Sequence, residues 1–310
     1  MKVVLAGATG TLGGELVPRL LAAGHSVLGL TRSPGKARLL QDAGVETRVV
    51  DVMDERRLLD ALRGHRADAV IHQATAITGT PLRHRDLHAT DDLREQGTAN
   101  LLRAAELVGA HRFVTQSFFL GYGYRDHGEA ELTEDHEFAP TGRGAFERHL
   151  RSMRTNERLA FGTPGIDGIA LRYGLFYGPE PGTRKLMAMA SRRMLPAPRP
   201  SGVTSPIHIA DAAAATVAAL DRGRAGQAYN VVDDTPVRFA DFVAAVAEAA
   251  GAPAPITVPS WLLRPAPYMY ALMAGTRIRL SNEKAKRELG WRPEYPSCRD
   301  GLRHVRPASA

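Results

Sequence analysis

The opening of the chain constrains its fold more than any other stretch. Met1-Lys-Val-Val-Leu-Ala-Gly7-Ala-Thr-Gly10-Thr-Leu-Gly13 is a short apolar strand that runs into a turn with a glycine at every third position. Helix-forming residues follow at once, from Leu12 to Leu21. Glycines let backbone N–H groups come close to a ligand, and the start of a helix favours negative charge. Strand, glycine turn and helix in that order seat a dinucleotide pyrophosphate. Gly7, Thr9, Gly10, Thr11, Leu12 and Gly13 are the expected phosphate-side contacts. The spacing is Gly-x-x-Gly-x-x-Gly, not the Gly-x-Gly-x-x-Gly of the commoner fingerprint.

Strand and helix patterns then alternate. Apolar runs at 2–6, 26–30, 46–50, 69–72, 112–116 and 166–172 read as strands, and the stretches at 12–23, 35–42, 54–62, 85–108 and 144–161 as helices. This predicts an α/β fold, a Rossmann-type doubly wound parallel sheet with crossover helices on both faces. Ligands of such sheets sit at the carboxyl ends of the strands. After Arg172 the pattern loosens into loops rich in glycine and proline, with helices at 210–220, 239–250 and 282–289 and a short strand at 228–232. A chain of 310 residues exceeds the roughly 250 that one core usually serves. Residues 1–172 are read as a dinucleotide-binding domain, rejoined by chain crossing back at about 204–232. Residues 173–310 are read mainly as a smaller α/β substrate lobe that caps the cleft.

Composition removes several classes of function. The net charge of +7 comes from basic residues spread along the whole chain without an aromatic stacking platform, which argues against a nucleic-acid partner. The stretch 183–200 holds Arg184, Lys185, Arg192, Arg193 and Arg199 and no acidic residue; it reads as a solvated loop rather than a face for an anionic ligand. No apolar run reaches the roughly 18 residues of a membrane helix, and Met1-Lys2 leads straight into a strand. The expectation is a cytoplasmic protein with no membrane partner. Cys298, the single cysteine, has no partner for a disulfide. Asp91-Asp92, Glu134-Asp135-His136-Glu137 and Asp233-Asp234 read as caps, loops or turns, and His65, His72, His84, His88 and His111 lack the spacing of metal ligands, so no metal site is expected.

Further landmarks stand in order behind the glycine turn: Asp51-Val52, His72-Gln73-Ala74-Thr75, Gly97-Thr-Ala-Asn100, Leu171-Arg-Tyr173-Gly-Leu-Phe-Tyr177-Gly-Pro179, His208-Ile-Ala-Asp211 and Ser281-Asn-Glu-Lys-Ala-Lys-Arg-Glu-Leu-Gly-Trp291-Arg-Pro293. Together they make nearly the whole chain resemble an extended short-chain dehydrogenase/reductase of the NAD-dependent epimerase/dehydratase family. The resemblance implies a nicotinamide dinucleotide on the glycine turn, with Asp51 and Val52 at the adenine, Gln73, Ala74 and Thr75 on the ribose side and Tyr173 by the nicotinamide. It also implies a homodimer through the two long helices. An acidic residue at the end of the second strand bonds ribose hydroxyls, whereas arginine there pairs with a 2′-phosphate. Here the strand ends Leu30-Thr31-Arg32-Ser33. Thr31, Arg32 and Ser33 are therefore assigned to the phosphate, and NADP(H) is expected ahead of NAD(H).

The likeness breaks where the family does its acid–base chemistry. The family's Tyr-x-x-x-Lys pair belongs on the helix after the fifth strand, which here reads Gly144-Ala-Phe-Glu-Arg-His149-Leu-Arg-Ser-Met153-Arg-Thr-Asn-Glu157. Aligned on Glu157, His149 takes the tyrosine's place and Met153 the lysine's. Ser117 falls one residue before the family's serine, whose position Phe118 fills, and Arg94 stands where a structural asparagine is common. Hydride delivered to a carbonyl leaves an alkoxide, and losing its positioned acid costs about 10²- to 10⁴-fold in rate. His149, whose side chain type titrates near neutrality, is the first catalytic candidate. Tyr122 and Ser117 are the others. The leading expectation is an NADP(H)-dependent oxidoreductase that reduces a carbonyl or conjugated enone of a small, hydrophobic metabolite, with the apolar stretch 259–273 lining or covering its pocket. Two other readings stay open: a non-redox isomerase, dehydratase or cyclase with bound NAD(P), and a non-catalytic NADP(H)-binding regulator.

Overall fold

The strands that build the centre of the molecule carry apolar residues on both faces, because helices cover both sides of the sheet. In the computed structural model, which describes residues 1–77, 79 and 81–305, the chain begins β1 (Lys2–Ala6), α1 (Thr11–Ala22), β2 (Ser26–Thr31), α2 (Pro34–Asp42), β3 (Glu46–Val49), α3 (Glu55–Leu62) and β4 (Ala69–His72). A 3₁₀ turn (His84–Leu87) leads into α4 (His88–Asp92), a π-turn (Leu93–Gly97) and α5 (Thr98–Val108). Then come β5 (Arg112–Phe118), β6 (Asp126–Leu132), α6 (Glu147–Gly162), β7 (Asp167–Tyr173), β8 (Leu175–Tyr177), α7 (Pro181–Ser191), β9 (Pro196–Arg199), β10 (Val203–Thr204), β11 (Pro206–His208), α8 (Ile209–Arg222) and β12 (Gln227–Val231). The last elements are β13 (Val237–Arg238), α9 (Phe239–Ala249), β14 (Ile256–Pro259), α10 (Pro267–Tyr270), β15 (Arg277–Leu280), α11 (Glu283–Leu289) and α12 (Cys298–Leu302).

Seven strands form one parallel sheet in the order β12-β7-β5-β4-β1-β2-β3. This is the doubly wound Rossmann-type α/β fold. One core half packs α1 and α8 against β1, β7 and β12, and the other packs α3, α5 and the end of α6 against β1, β4 and β5. The strand order reverses between β1 and β4, so the carboxyl ends of these two strands open a crevice. The chain beyond β7 contributes to a four-stranded sheet, β13-β10-β15-β6, and to two short strand pairs, β11-β8 and β14-β9.

Three of the differences from the sequence reading have a physical reason in the structure. The helix expected at 85–108 is broken by the π-turn, whose Leu93 carbonyl accepts the Thr98 N–H and also faces His72 Nε2 at 3.2 Å. The basic stretch read as a loop is helical through Ser191, because the Glu180 carboxylate caps the Gly182 and Thr183 N–H groups and Pro181 occupies the first turn. Its Arg184, Lys185, Arg192, Arg193 and Arg199 are exposed. The sequence carries no signal for β6, whose mostly exposed residues show no apolar alternation and become a strand only by pairing with β15.

Candidate functional site

The glycine turn is shaped by close backbone approach. Gly7 has φ +91, and a Cβ there would stand 2.6 Å from the Gln73 carbonyl carbon. A Cβ on Gly13 would stand 2.2 Å from the Gly7 carbonyl oxygen, so only glycine lets α1 start this close to β1. Gly10 is the N-cap of α1 with no side-chain bond to the helix, and the first turn has no acidic residue. These open donors suit an anionic group. Around them stand the other predicted cofactor residues. Thr9 Oγ1 lies 3.3 Å from Thr31 Oγ1, which accepts the Ser33 N–H, and Ser33 caps α2. Arg32 is 65% exposed and reaches Asp51 Oδ2 at 3.7 Å. Asp51 Oδ1 accepts the Met53 N–H, and Asn100 Nδ2 donates to the Val52 carbonyl. Gln73 Nε2 donates to Tyr173 Oη at 3.0 Å, while its Oε1 is buried without a partner among the described residues. The Tyr173 hydroxyl meets Thr216 Oγ1 at 2.6 Å, and burial raises its pKa. An uncapped helix start, a cradle that a Cβ would fill and an orphaned amide oxygen beside it fit a dinucleotide.

From β4 the chain leads directly to the acid–base candidates. The Ala74 N–H donates to His72 Nδ1, so His72 Nε2 carries the proton that goes to the Leu93 carbonyl. Burial pushes the His72 pKa down to about 4 and keeps the ring neutral. The Ala76 N–H donates to Thr90 Oγ1 on α4, next to Asp91. Asp91 is 1% exposed, and its Oδ2 lies 2.7 Å from Nδ1 of His149, also 1% exposed. Its Oδ1 accepts the Ser152 hydroxyl at 2.9 Å. His149 Nε2 lies 3.1 Å from Nδ1 of His84, a half-buried residue on the 3₁₀ turn. Phe146, Tyr124 and Tyr268 surround the two rings; Tyr124 stacks on Phe146 at 4.0 Å, and Tyr268 lies 6.3 Å from His149 between centroids. Tyr268 belongs to α10, so the stretch 259–273 does reach this place.

Ser117 and Tyr122 point elsewhere. The Ser117 hydroxyl donates to Glu157 Oε1 at 2.6 Å, and Glu157 takes two further bonds from Arg172, Nε at 3.0 Å and Nη2 at 2.8 Å. Arg172 Nη1 donates to the Tyr122 hydroxyl, which lies 2.9 Å from Asn230 Oδ1 and 3.1 Å from the Thr133 carbonyl. Phe138 lies over the guanidinium at 4.0 Å. Burial pushes the Tyr122 pKa up to about 12, a poor position for giving up a proton. His149 therefore does not share a cluster with the other two candidates. In the second lobe His208 caps α8 through the Ala210 N–H, and Asp211 clamps the Glu294 and Tyr295 N–H groups.

Asp91 and His84 are functional candidates that sequence reasoning passed over, Asp91 as part of a local acidic pair and His84 as a histidine without ligand spacing. A signal was available. His149, Ser152 and Asn156 make a polar stripe at i, i+3 and i+7 on the buried face of α6. Asp91 and Thr98 repeat the seven-residue interval across from it, and Asn156 Nδ2 donates to Thr98 Oγ1. A buried polar stripe needs partners, and helices that pack face to face supply them.

Comparison with known proteins shows the family and the fold. The model of the NAD dependent epimerase/dehydratase family matches residues 3–232. A 3-diazoavenalumate denitrifying reductase from a Streptomyces species is 35% identical over 97% of this chain and 99% of its own length. A 4-hydroxy-2-methyl-3-oxo-4-farnesyl-3,4-dihydroquinoline-1-oxide ketoreductase from Stigmatella aurantiaca is 24% identical over 99% and 97%. Among solved structures, the UDP-glucose 4-epimerase of Thermus thermophilus in complex with NAD superposes with a TM-score of 0.78 at 26% identity, covering 98% of this chain and 97% of that one. Among the described residues, no helix is long and apolar enough to cross a membrane.

Proposed function

The chain belongs to the NAD-dependent epimerase/dehydratase family, and from that premise we propose that it is an NADP(H)-dependent reductase of a small, apolar metabolite. Hydride goes to a carbonyl or conjugated enone, and a proton goes to the oxygen. The observation that carries this reading is the Asp91–His149–His84 chain, which offers an imidazole donor at the helix position that the alignment on Glu157 assigns to the family's tyrosine. The dinucleotide supplies the hydride when bound. The turn from Gly7 to Gly13 holds its phosphates, with Gln73 to Thr75 beside them. Residues 1–172, with the returning segment that gives α8 and β12, form the cofactor side, and 173–310 shape the substrate side. Phe146, Tyr124 and Tyr268 give that side apolar walls. Support for the phosphorylated cofactor is that β2 ends without a carboxylate while Arg32 extends an exposed guanidinium there.

A second reading draws on the 35% identical relative, which is named for reducing a diazo compound. A diazo carbon that takes up one hydride and one proton releases dinitrogen, so both substrates make the same demand on the site. Only the diazo compound evolves gas.

The test is a titration with NADPH and NADH, followed by assays for nucleotide consumption with carbonyl, enone and diazo compounds. Arg32→Ala is expected to weaken NADPH binding by about 10- to 100-fold, the worth of one charge-assisted bond, and to leave NADH binding unchanged. Failure to bind either nucleotide would overturn the proposal, and turnover without net NADPH consumption would replace it with a non-redox reaction. Dinitrogen in the headspace selects the second reading.

A further inference from the structure

Within the reductase reading just given, the two histidines are not equivalent. His149 is enclosed, and both of its ring nitrogens are already engaged, Nδ1 by Asp91 and Nε2 by His84. A ring in that position has no free atom for a substrate. Among the described residues His84 uses only Nδ1; it stands on a half-buried turn beyond the carboxyl end of β4 and packs edge-on against Phe146 at 4.6 Å. We infer that His84, through Nε2, is the catalytic residue that hands the proton to the substrate, and that His149 and Asp91 are positioning residues behind it.

The proton count follows from the hydrogen bonds. An ionised carboxylate only accepts, so Asp91 fixes a proton on His149 Nδ1. One proton is then shared between His149 Nε2 and His84 Nδ1. Charging the pair puts a further proton on His84 Nε2 and leaves the positive charge on the His149 side, beside Asp91. As substrate oxygen takes the proton from His84 Nε2, the shared proton moves from His149 Nε2 to His84 Nδ1 and the pair becomes neutral. Bulk water recharges it through the half-exposed His84. The groups facing the pair are Asp91 and His88 from α4, Arg94 from the π-turn, Arg148 from α6, Tyr124 from the segment after β5 and Tyr268 from α10. Burial first, then the facing His149 and His88, lower the pKa of His84. Burial keeps both tyrosines protonated, with Tyr268 pushed up to about 12. The donating form, which carries the proton on His84 Nε2, is thus lost as pH rises.

Two measurements decide the assignment. In long-range ¹H–¹⁵N spectra of the protein without nucleotide, both imidazoles are expected to move together through the titration, and His149→Gln is expected to shift the midpoint of His84. A His84 titration unaffected by His149→Gln overturns the pairing. In the NADPH-consumption assay, His84→Ala is expected to lose about 10²- to 10⁴-fold in rate with unchanged nucleotide binding, and added imidazole is expected to restore part of the loss. Undiminished turnover by His84→Ala overturns the assignment and leaves the reductase reading standing. Absence of NADPH consumption by the wild-type protein with every substrate overturns that reading, and the proton-transfer role falls with it.

Discussion

Two buried polar networks hang from α6, and they are built differently. One runs from Ser117 through Glu157 and Arg172 to Tyr122 and Asn230; each of its charged groups faces a charged or hydroxyl partner, and Phe138 covers the guanidinium. The other runs from Ser152 through Asp91 and His149 to His84 and ends on a ring nitrogen with no partner among the described residues. The first ties β5, α6, β7 and β12 together. The second ties α4 to α6 and then points outward. A closed network holds a fold, because its members satisfy one another, whereas one with an open end has capacity left for a ligand. The comparison teaches that burial and polarity alone do not mark a site, and the proposal above places the chemistry on the network with the unfinished end.

Breaking the closed network has the largest expected effect. Glu157→Ala leaves the Arg172 guanidinium buried beside Tyr122 with its two strongest bonds gone. Removing one partner of a buried pair costs about 3–5 kcal/mol, a large share of the stability of a typical domain. Urea denaturation is expected to show a clearly lowered midpoint. A midpoint equal to that of the parent would mean that the network is not what holds these strands.

The difference between the networks also explains what was legible in the sequence. The sheet was readable because apolar runs such as Lys2–Ala6 and Ala69–His72 can be buried on both faces only in a parallel, helix-covered sheet. The glycine turn was readable because Gly7 and Gly13 answer local steric demands set within a few residues. His149 was found only through the missing tyrosine. Its partners Asp91 and His84 lie 58 and 65 residues away, and a hydrogen bond across that separation leaves no local pattern. The same holds for Ser117. Its place near a strand end suggested substrate, but strand residues alternate between faces, and its face turns to Glu157 on α6. The π-turn was invisible because 93–97 carry no proline, and the Leu93 carbonyl is met by His72 from a strand 21 residues away.

The next effect sharpens the comparison by separating acid lability from proton donation. His72 and His208 both have pKa values lowered to about 4 by burial. In the unfolded chain they titrate at about 6.5, so below that pH the folded state binds fewer protons than the unfolded one. The stability they contribute is complete above about pH 6.5 and is lost as pH falls through about 4, amounting to about 3 kcal/mol for each. His208→Asn keeps an N-cap acceptor for the Ala210 N–H and removes the titration. The variant is expected to lose about 3 kcal/mol less than the parent between pH 7 and pH 4 in urea denaturation. The pH dependence of turnover, assigned to His84 in the proposal above, is expected to stay where it was. An unchanged acid loss in the variant would show that His208 is not neutral in the folded protein.

Ser117→Ala has the smallest expected effect and tests the comparison at its most exposed assumption. If Ser117 belongs to the closed network, its removal takes one donor from Glu157 Oε1, which still receives Arg172 Nε at 3.0 Å. No buried charge is left alone, so the cost is about 1 kcal/mol, that of an ordinary hydrogen bond. Turnover is expected to fall by less than about tenfold, since polarising a substrate oxygen is worth about 10²- to 10³-fold where a donor really does it. A loss of that larger size, with stability intact, would place the hydroxyl at the substrate and make the Glu157 bond a resting position. The two networks would then meet at one site, and the contrast between a closed and an open end would no longer distinguish structure from chemistry in this molecule.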